Sequence, residues 1–300
     1  MVPSPAAGLR AWVHAAFPRG ESDIDYEQPR GDPGLFAPGS ATWQVHADFP
    51  GMLSGGLCAL MLQTLHPAAL AGVWDHSNFR DDLVGRLRRT TNFVAGTSYA
   101  PRAEAERLVA RVRRIHARVR GVTESGAAYS ADDPALLTWV HVTEAYGFLQ
   151  GYRRYCGPVP TADADRYYDE TRAVAEALGA TGVPASEGAV QAFLRDVQPQ
   201  LAYTARSRAV LDVLARMTLP VPLPGLSRDL FLGAGAALLP GWAEALLERS
   251  HAQRRQARLA AAGLRTMAPL FRAALRDGPA QRACVRMDLA PEWIRRGFGR

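Results

Sequence analysis

The chain has 300 residues, enough for one large domain or two small ones, and either would bury a substantial apolar core. Apolar residues make up 48% and charged residues 21%, a balance typical of soluble globular proteins that excludes disordered and collagen-like chains. The net charge of +6 comes entirely from arginine, and these arginines alternate with acids on helical stretches, so nucleic-acid binding is not expected.

The cysteine pattern and the N-terminus indicate a cytoplasmic protein. Cys58, Cys156 and Cys284 lie far apart and form no CxxC pair, which argues against a structural zinc site and a disulfide framework. The first 20 residues lack the uninterrupted apolar stretch of a secretory signal. Both observations fit a reducing compartment.

The first 50 residues are loop-rich, and the Gly and Pro residues of 31–40 predict consecutive turns. Segment 51–74 then runs without a charged residue over a length that could span a bilayer. It also contains His66, Pro67 and four glycines. We therefore predict a buried core helix broken at the His-Pro step, and peripheral contact with a membrane stays open.

From residue 51 onward the apolar spacing is helical, and alternation at period two is nearly absent, which predicts no sheet. Pro134 after Asp133 suits a helix start, and Gly121 and Gly179 suit helix ends. The predicted helices lie near 51–74, 79–97, 101–121, 134–156, 161–179, 186–200, 203–217 and 239–275, with breaks in the last.

We expect an all-α fold with three parts. A loop-rich segment (1–50) packs on the core, a helical domain (51–277) follows, and an Arg-rich C-terminal extension (278–300) is only loosely packed.

The sequence lacks the HExxH, GxSxG, P-loop and GxGxxG motifs, which removes support for zinc hydrolases, α/β-hydrolases, NTPases and Rossmann enzymes. His116 shares a helical stripe with Val109, Val112 and Val119. An imidazole on such a face is either a core histidine bonded to a carbonyl or an axial haem ligand.

Three further positions could contribute chemistry. Arg86 and Thr90 are four residues apart and could hold a haem propionate or polarise oxygen, or belong to a solvated helix face. His141 has Glu144 three residues on, which suits either a pair that orients a ligand or a satisfied buried pair. His66 must find a partner if it is buried. Spacing alone does not rank these histidines.

Four stretches carry a resemblance to a known family. GDPGLFAPGSATWQVHAD, LQTLHPAALAGVWDHSNFRDDLVGRLRRT, RIHARVRG and LLTWVHVTEAYGFL recur in this order within about residues 30–245. Together they resemble the family that joins the MpaB-type oxygenases and the latex-clearing rubber oxygenases. The resemblance implies a globin-like helical core that holds one haem b and cleaves a carbon–carbon double bond with molecular oxygen.

The same resemblance implies site residues. His116 is the expected iron ligand, and Arg86 and Thr90 match the R-x-x-x-T motif that precedes it. His141 is expected in the haem pocket, and His66 is a further candidate for cofactor binding. Arg89 stands where the rubber enzymes can place a lysine on the iron, and a guanidinium does not ligate iron.

Arg86, Thr90 and Arg89 are therefore the predicted catalytic residues, and Asp75, His76 and Glu144 are candidates for an assisting acid. We expect a cytoplasmic, haem b-dependent oxygenase that uses O2 on a small hydrophobic substrate, such as an unsaturated or terpenoid molecule, rather than polyisoprene. The alternatives are a non-catalytic haem sensor or carrier, a haem peroxidase or peroxygenase, and a helical binding domain without cofactor.

Overall fold

The computed structural model describes residues 8–11, 24–218 and 224–298. Helices dominate them, which confirms the all-α fold. The first six helices are α1 (Ala41–His46), α2 (Phe49–Gln63), α3 (Pro67–His76), α4 (Leu83–Tyr99), α5 (Arg102–His116) and α6 (Pro134–Tyr155). The remaining helices are α7 (Thr161–Leu178), α8 (Glu187–Asp196), α9 (Ala205–Arg216), α10 (Pro224–Ala236), α11 (Gly241–Leu246), α12 (His251–Ala274) and α13 (Pro279–Arg286), with 3₁₀ turns at Gln198–Gln200 and Pro291–Arg295.

The apolar segment 51–74 forms the two helices α2 and α3, bent by 104° at the predicted break. His66 ends the break by accepting a hydrogen bond from the backbone N–H of Ala69, as an N-cap. Within the described ranges no single helix is long and apolar enough to cross a membrane, and this bent pair alone has the length and composition to do so. Leu57, Cys58 and Leu62 of α2 are buried in the protein core.

The prediction of no sheet was wrong between α5 and α6. Helix α5 ends at His116, and Arg120–Val122 (β1) pairs in antiparallel register with Ala128–Ser130 (β2). Gly121 is therefore not a helix stop. It lies in β1, where the ring of its strand partner Tyr129 occupies the space that a side chain would need. Gly179, by contrast, ends α7 in the left-handed conformation at φ 113°, as predicted.

Helices α2 and α6 form the centre of the fold because four glycines let their backbones touch. A Cβ on Gly55 would overlap the carbonyl of Gly147, and a Cβ on Gly151 would overlap the carbonyl of Gly51. The two pairs repeat at a spacing of four residues on each helix, so they lie on one face of each. Helix α6 is thereby held deep in the core, and 14 of its 22 residues are buried.

The prediction of a loosely packed C-terminal extension was also wrong, because one face of α13 is buried. Ala283, Cys284 and Ile294 are buried in a cluster with Trp43 and Tyr99. The sequence pattern did not predict helix α13, because its buried stripe consists of small and polar side chains rather than leucines. Helix α10 was likewise missed, because it lies between the predicted helices 203–217 and 239–275. The three-part division of the chain stays a prediction.

Candidate functional site

Helices α4 and α5 form an antiparallel hairpin that carries the predicted motif residues at its open end. The helices are joined by Ala100 and Pro101, and Gly96 of α4 packs against Leu108 of α5. Arg86 near the start of α4 donates to Ser77, and the neighbouring His76 is bonded to the carbonyl of Arg120, just after the end of α5. Arg86 and Thr90 are thus at the same end of the hairpin as His116.

His116 lies on the same stripe of α5 as Val109 and Val112, as the spacing predicted, but the helix ends at His116 and the predicted member Val119 lies beyond it. Val109 is buried, Val112 and His116 are half-buried, and the neighbouring Arg114 and Arg118 are exposed. The Nδ1 atom of His116 is buried without a hydrogen-bond partner, and the ring makes no other hydrogen bond to the described residues. The structure therefore lacks the hydrogen bond to a carbonyl that the interpretation of His116 as a core histidine requires.

Burial sets the charge state of this imidazole. It lowers the pKa of His116 below the usual value, and the nearby carboxylate of Asp132 raises it only in part. The ring is consequently neutral at pH 7, with a nitrogen lone pair that no described residue occupies. Neutral imidazole is the form that binds metals.

Arg86 is the second group with spare binding capacity at this end of the hairpin. Its guanidinium donates to Ser77 Oγ at 3.2 Å and forms no ion pair with any carboxylate in the described part of the chain. Burial and the neighbouring charge of Arg89 lower its pKa. A half-buried cation without a counter-ion favours an anionic ligand, because pairing would offset the loss of hydration.

The other two motif residues point elsewhere. Thr90 is exposed and donates its hydroxyl hydrogen to the carbonyl of Arg86 at 3.3 Å. Arg89 is exposed too, and it contacts Asp82 at 3.5 Å and the amide oxygen of Asn78 at 3.3 Å. No hydrogen bond joins either residue to His116 in the described structure. Their predicted catalytic roles stay predictions.

Arg86, Thr90, Val94 and Thr97 repeat along one side of α4. At its inner end this side reaches a cavity of about 40 Å³. Phe93, Val94, Thr97 and Ser98 of α4 line one wall. The rest comes from α1, α6, α7 and the N-terminal loop through Phe36, His46, His141, Glu144, Ala145, Phe148, Tyr167, Thr171 and Val174.

His141 and Glu144 face this cavity together from one side of α6. Burial lowers the pKa of His141 to about 4 and raises the pKa of Glu144 to about 7, against a smaller lowering by its hydrogen bond to Gln63. Both side chains remain half-buried rather than fully enclosed, so they are accessible from the cavity. The spacing of His141 and Glu144 had left open whether they form a satisfied pair.

The other two acid candidates are engaged. Asp75 accepts from the Tyr129 hydroxyl at 3.0 Å and lies 3.7 Å from Arg206. His76 is exposed and bonded to the carbonyl of Arg120 at 3.1 Å. Of the three candidates, Glu144 alone lines the cavity.

His66 has a structural role on the opposite side of α6. Its ring caps α3 and lies 5.9 Å from the ring of Trp139. No contact connects it with His116 or His141 in the described part of the chain. Its expected role in cofactor binding stays a prediction.

Sequence reasoning missed His46. Its Nδ1 lies 2.7 Å from Ser98 Oγ and its Nε2 lies 2.9 Å from the hydroxyl of Tyr167. Burial, with a smaller contribution from His141, lowers the pKa of His46 to about 3, so the ring is neutral. These partners are 52 and 121 residues away, and no spacing rule relates positions so far apart. The one available signal was the place of His46 in a recurring motif.

No group of three or more His, Cys, Asp or Glu side chains is arranged to hold a metal ion among the residues that the structure describes. His116 is accordingly a single potential ligand rather than part of a ligand cluster. A porphyrin supplies donor atoms to its own metal, so a haem requires no cluster of ligands from the protein and can be held by a single histidine.

Comparison with known proteins identifies a family and a similar fold. Residues 43–273 match the sequence model of a family described as "ER-bound oxygenase mpaB/B'/Rubber oxygenase, catalytic domain". Among solved structures, the fold is similar to that of a latex clearing protein, LCP, in the closed state, with a TM-score of 0.55. The match covers 90% of this chain and 88% of that chain at 18% identity, so it shows a common fold alone. No curated protein sequence matches.

Proposed function

The chain belongs to the mpaB and rubber oxygenase family, and on that premise we propose that it is a haem b-dependent oxygenase for a small hydrophobic substrate. Family membership makes the chain an oxygenase and therefore an oxidoreductase. The proposal adds the cofactor, the ligand residue and the kind of substrate.

The observation that carries the cofactor proposal is the unpartnered imidazole of His116. A buried histidine nitrogen without a hydrogen bond is destabilising unless it gains a partner. The neutral ring of His116 would hold the iron, and the unpaired guanidinium of Arg86 at the same end of the hairpin would pair with a propionate. The residues present thus fit haem b, which when bound supplies the oxygen chemistry of the reaction.

The apolar character of the cavity supports a hydrophobic substrate. Phe93, Val94 and Phe148 provide aromatic and branched walls for one apolar end of a substrate that extends from the cavity along α4. Arg89 does not compete for the iron, because a guanidinium does not ligate iron and this one is engaged by Asp82 and Asn78. We propose oxidative cleavage of a carbon–carbon double bond, by analogy with the family resemblance, with the remaining chain of the substrate along the Arg86–Thr97 side of α4.

The test is a haem titration followed by absorption spectroscopy. We expect a strong Soret band for the parent protein, and an at least about tenfold weaker haem affinity for His116→Ala, because the ligand bond is lost. His116→Gly with added imidazole should recover the band, which separates loss of the ligand from loss of the fold. His251→Ala, at an exposed position on α12, is the matched control.

Oxygen uptake then distinguishes the enzyme from a haem carrier. The loaded parent should consume oxygen when an unsaturated substrate is added, and loaded His116→Ala should not. A parent protein that binds no added haem would refute the cofactor, and bound haem without oxygen uptake across a panel of alkenes would favour the sensor or carrier.

A further inference from the structure

We propose that the cavity between α4 and α6 is a subsite for an alcohol, in which His141 and Glu144 bind the hydroxyl group at the end of an otherwise apolar substrate. The inference rests on the proposed function, because the cavity continues the side of α4 that carries Arg86 and Thr90. It narrows the substrate class from hydrophobic molecules in general to apolar alcohols.

A chain of hydrogen bonds occupies some of the polar side chains around the cavity. Ser98 Oγ donates its single hydrogen to the carbonyl of Val94 at 2.6 Å, so it accepts from Nδ1–H of His46. The neutral ring of His46 then has its lone pair on Nε2, which accepts the hydroxyl hydrogen of Tyr167. This chain of bonds is complete, and it leaves His46 without a hydrogen or a nitrogen lone pair for a guest.

Two threonines on the cavity wall are also satisfied within their own helices. Thr97 donates to the carbonyl of Phe93 at 3.0 Å, and Thr171 donates to the carbonyl of Tyr167 at 2.9 Å. Their hydroxyl hydrogens are therefore not available to a ligand.

Two polar groups keep spare capacity. The ring of His141 makes no hydrogen bond to any described residue. Glu144 approaches the amide of Gln63, which also donates to Thr143 Oγ1 at 3.1 Å. Both side chains remain accessible from the cavity, three residues apart on one face of α6. A partner that can donate and accept at once would satisfy both, and a hydroxyl group is the smallest organic group that does so.

Charge excludes an acid as the guest. None of the residues that line the cavity is an arginine. Both histidines are neutral at pH 7, because burial lowers the pKa of His141 to about 4 and that of His46 to about 3. Tyr167 is held neutral by burial as well, and Glu144 is the one group on the wall that takes a charge near pH 7. A carboxylate would lose its hydration with no cation to replace it.

Size and wall chemistry then define the rest of the ligand. A volume of about 40 Å³ accommodates a hydroxymethyl group but not a whole hydrocarbon. Phe93, Val94 and Phe148 contact the carbon next to the hydroxyl, and the remainder of the molecule extends along α4. A pure hydrocarbon would leave His141 and Glu144 without partners.

Calorimetric titration with matched probes tests this proposal. Octanol, octene, octyl methyl ether and octanoate share a chain and differ in the end group. We expect octanol to bind at least about tenfold tighter than octene, since the hydroxyl group forms two hydrogen bonds that the alkene cannot form. The ether should fall between them, because it accepts but does not donate, and octanoate should bind no tighter than octene.

Substitutions at His141 and Glu144 test whether these two side chains cause the preference for octanol over octene. His141→Phe and Glu144→Leu should each reduce the preference for octanol over octene, whereas Glu144→Gln, which can donate and accept, should retain it. Thr171→Val changes the same cavity wall without removing an available hydrogen, so it should keep the preference. Equal binding of octanol and octene to the parent, or tighter binding of octylamine, would overturn the alcohol subsite.

The titrations are run on the protein before and after haem is added, so that two failures remain separate. A missing Soret band with an intact octanol preference would refute the haem while leaving the subsite. Bound haem with no octanol preference would refute the subsite alone.

Discussion

At the scale of single residues, the candidate site is built from titratable side chains that burial holds neutral. His46, His141 and Glu144 face one cavity, and desolvation is the largest cause of the pKa change in each. Burial keeps the two histidines from gaining a proton at pH 7, and it raises the pH at which Glu144 loses its proton to about 7. The cavity thus avoids fixed charge at a place where charge would be poorly hydrated.

The carboxyl group of Glu144 makes a pH-dependent contribution to stability. Burial raises its pKa from 4.5 to about 7, so the folded protein holds this proton more tightly than the unfolded chain. The contribution of Glu144 to the free energy of unfolding should therefore fall as the pH rises from about 4.5 to about 7. Glu144→Gln lacks this titration and should be more stable than the parent at pH 7 by on the order of 1–3 kcal/mol.

Urea denaturation across this pH range measures the effect. The informative quantity is the difference in unfolding free energy between Glu144→Gln and the parent, which should grow with pH. Glu106→Gln, on the exposed face of α5, is the matched control because its carboxylate remains in water in both states. Parallel curves for the parent and Glu144→Gln would contradict the raised pKa.

At the scale of elements, the crossing of α2 and α6 places the cavity residues. Gly51 and Gly55 on α2 meet Gly147 and Gly151 on α6, and each side approaches the carbonyl groups of the other. The close crossing holds α6 at the depth from which His141 faces the cavity. A methyl group at either helix would have to push the backbones apart, because the obstructing atoms are main-chain atoms.

Gly55→Ala should therefore destabilise the protein by about 1–3 kcal/mol, through overpacking of a tight helix crossing. The measurement is the midpoint of thermal or chemical unfolding. Gly188→Ala is the matched control, because Gly188 lies exposed in α8 with no atom near its absent side chain. That substitution should stabilise the protein by about 0.5–1 kcal/mol, since alanine favours the helix. Similar effects of the two substitutions would argue against the close crossing.

At the scale of the whole molecule, one arginine connects the two ends of the chain. Arg286 on α13 is fully buried and donates to the carbonyls of Tyr26, Asp32 and Tyr99, each at 2.7 Å. Burial lowers the pKa of Arg286, and Asp32 and Asp25 partly offset that effect. The N-terminal loop, the end of α4 and the C-terminal helix are thus held by one guanidinium group.

Arg286→Met should destabilise the fold by about 3–5 kcal/mol, because buried carbonyl groups would lose their donors. Arg282→Met, one turn earlier on α13, removes an arginine that pairs with Glu27 at 3.1 Å on the surface. We expect less than about 1 kcal/mol from that control. If both variants unfold at the same denaturant concentration as the parent, the C-terminal helix is not part of the stable core.

The sequence by itself determined what depends on neighbours within one or two helical turns. Periodicity predicted the stripe that carries His116, ring constraints predicted the break at His66, and capping predicted the start of α6 after Asp133. The structure confirms all three. The family resemblance also came from short contiguous motifs, and residues 43–273 match the family.

Tertiary structure alone decided what depends on residues far apart in the chain. The His46–Ser98–Tyr167 bonds join positions 52 and 121 residues apart, and the bonds of Arg286 to Tyr26 and Tyr99 span 260 and 187 residues. The raised pKa of Glu144 likewise requires the helices that remove water from around it. Hydrogen bonds and desolvation depend on distance in space, and only the folded chain brings these groups together.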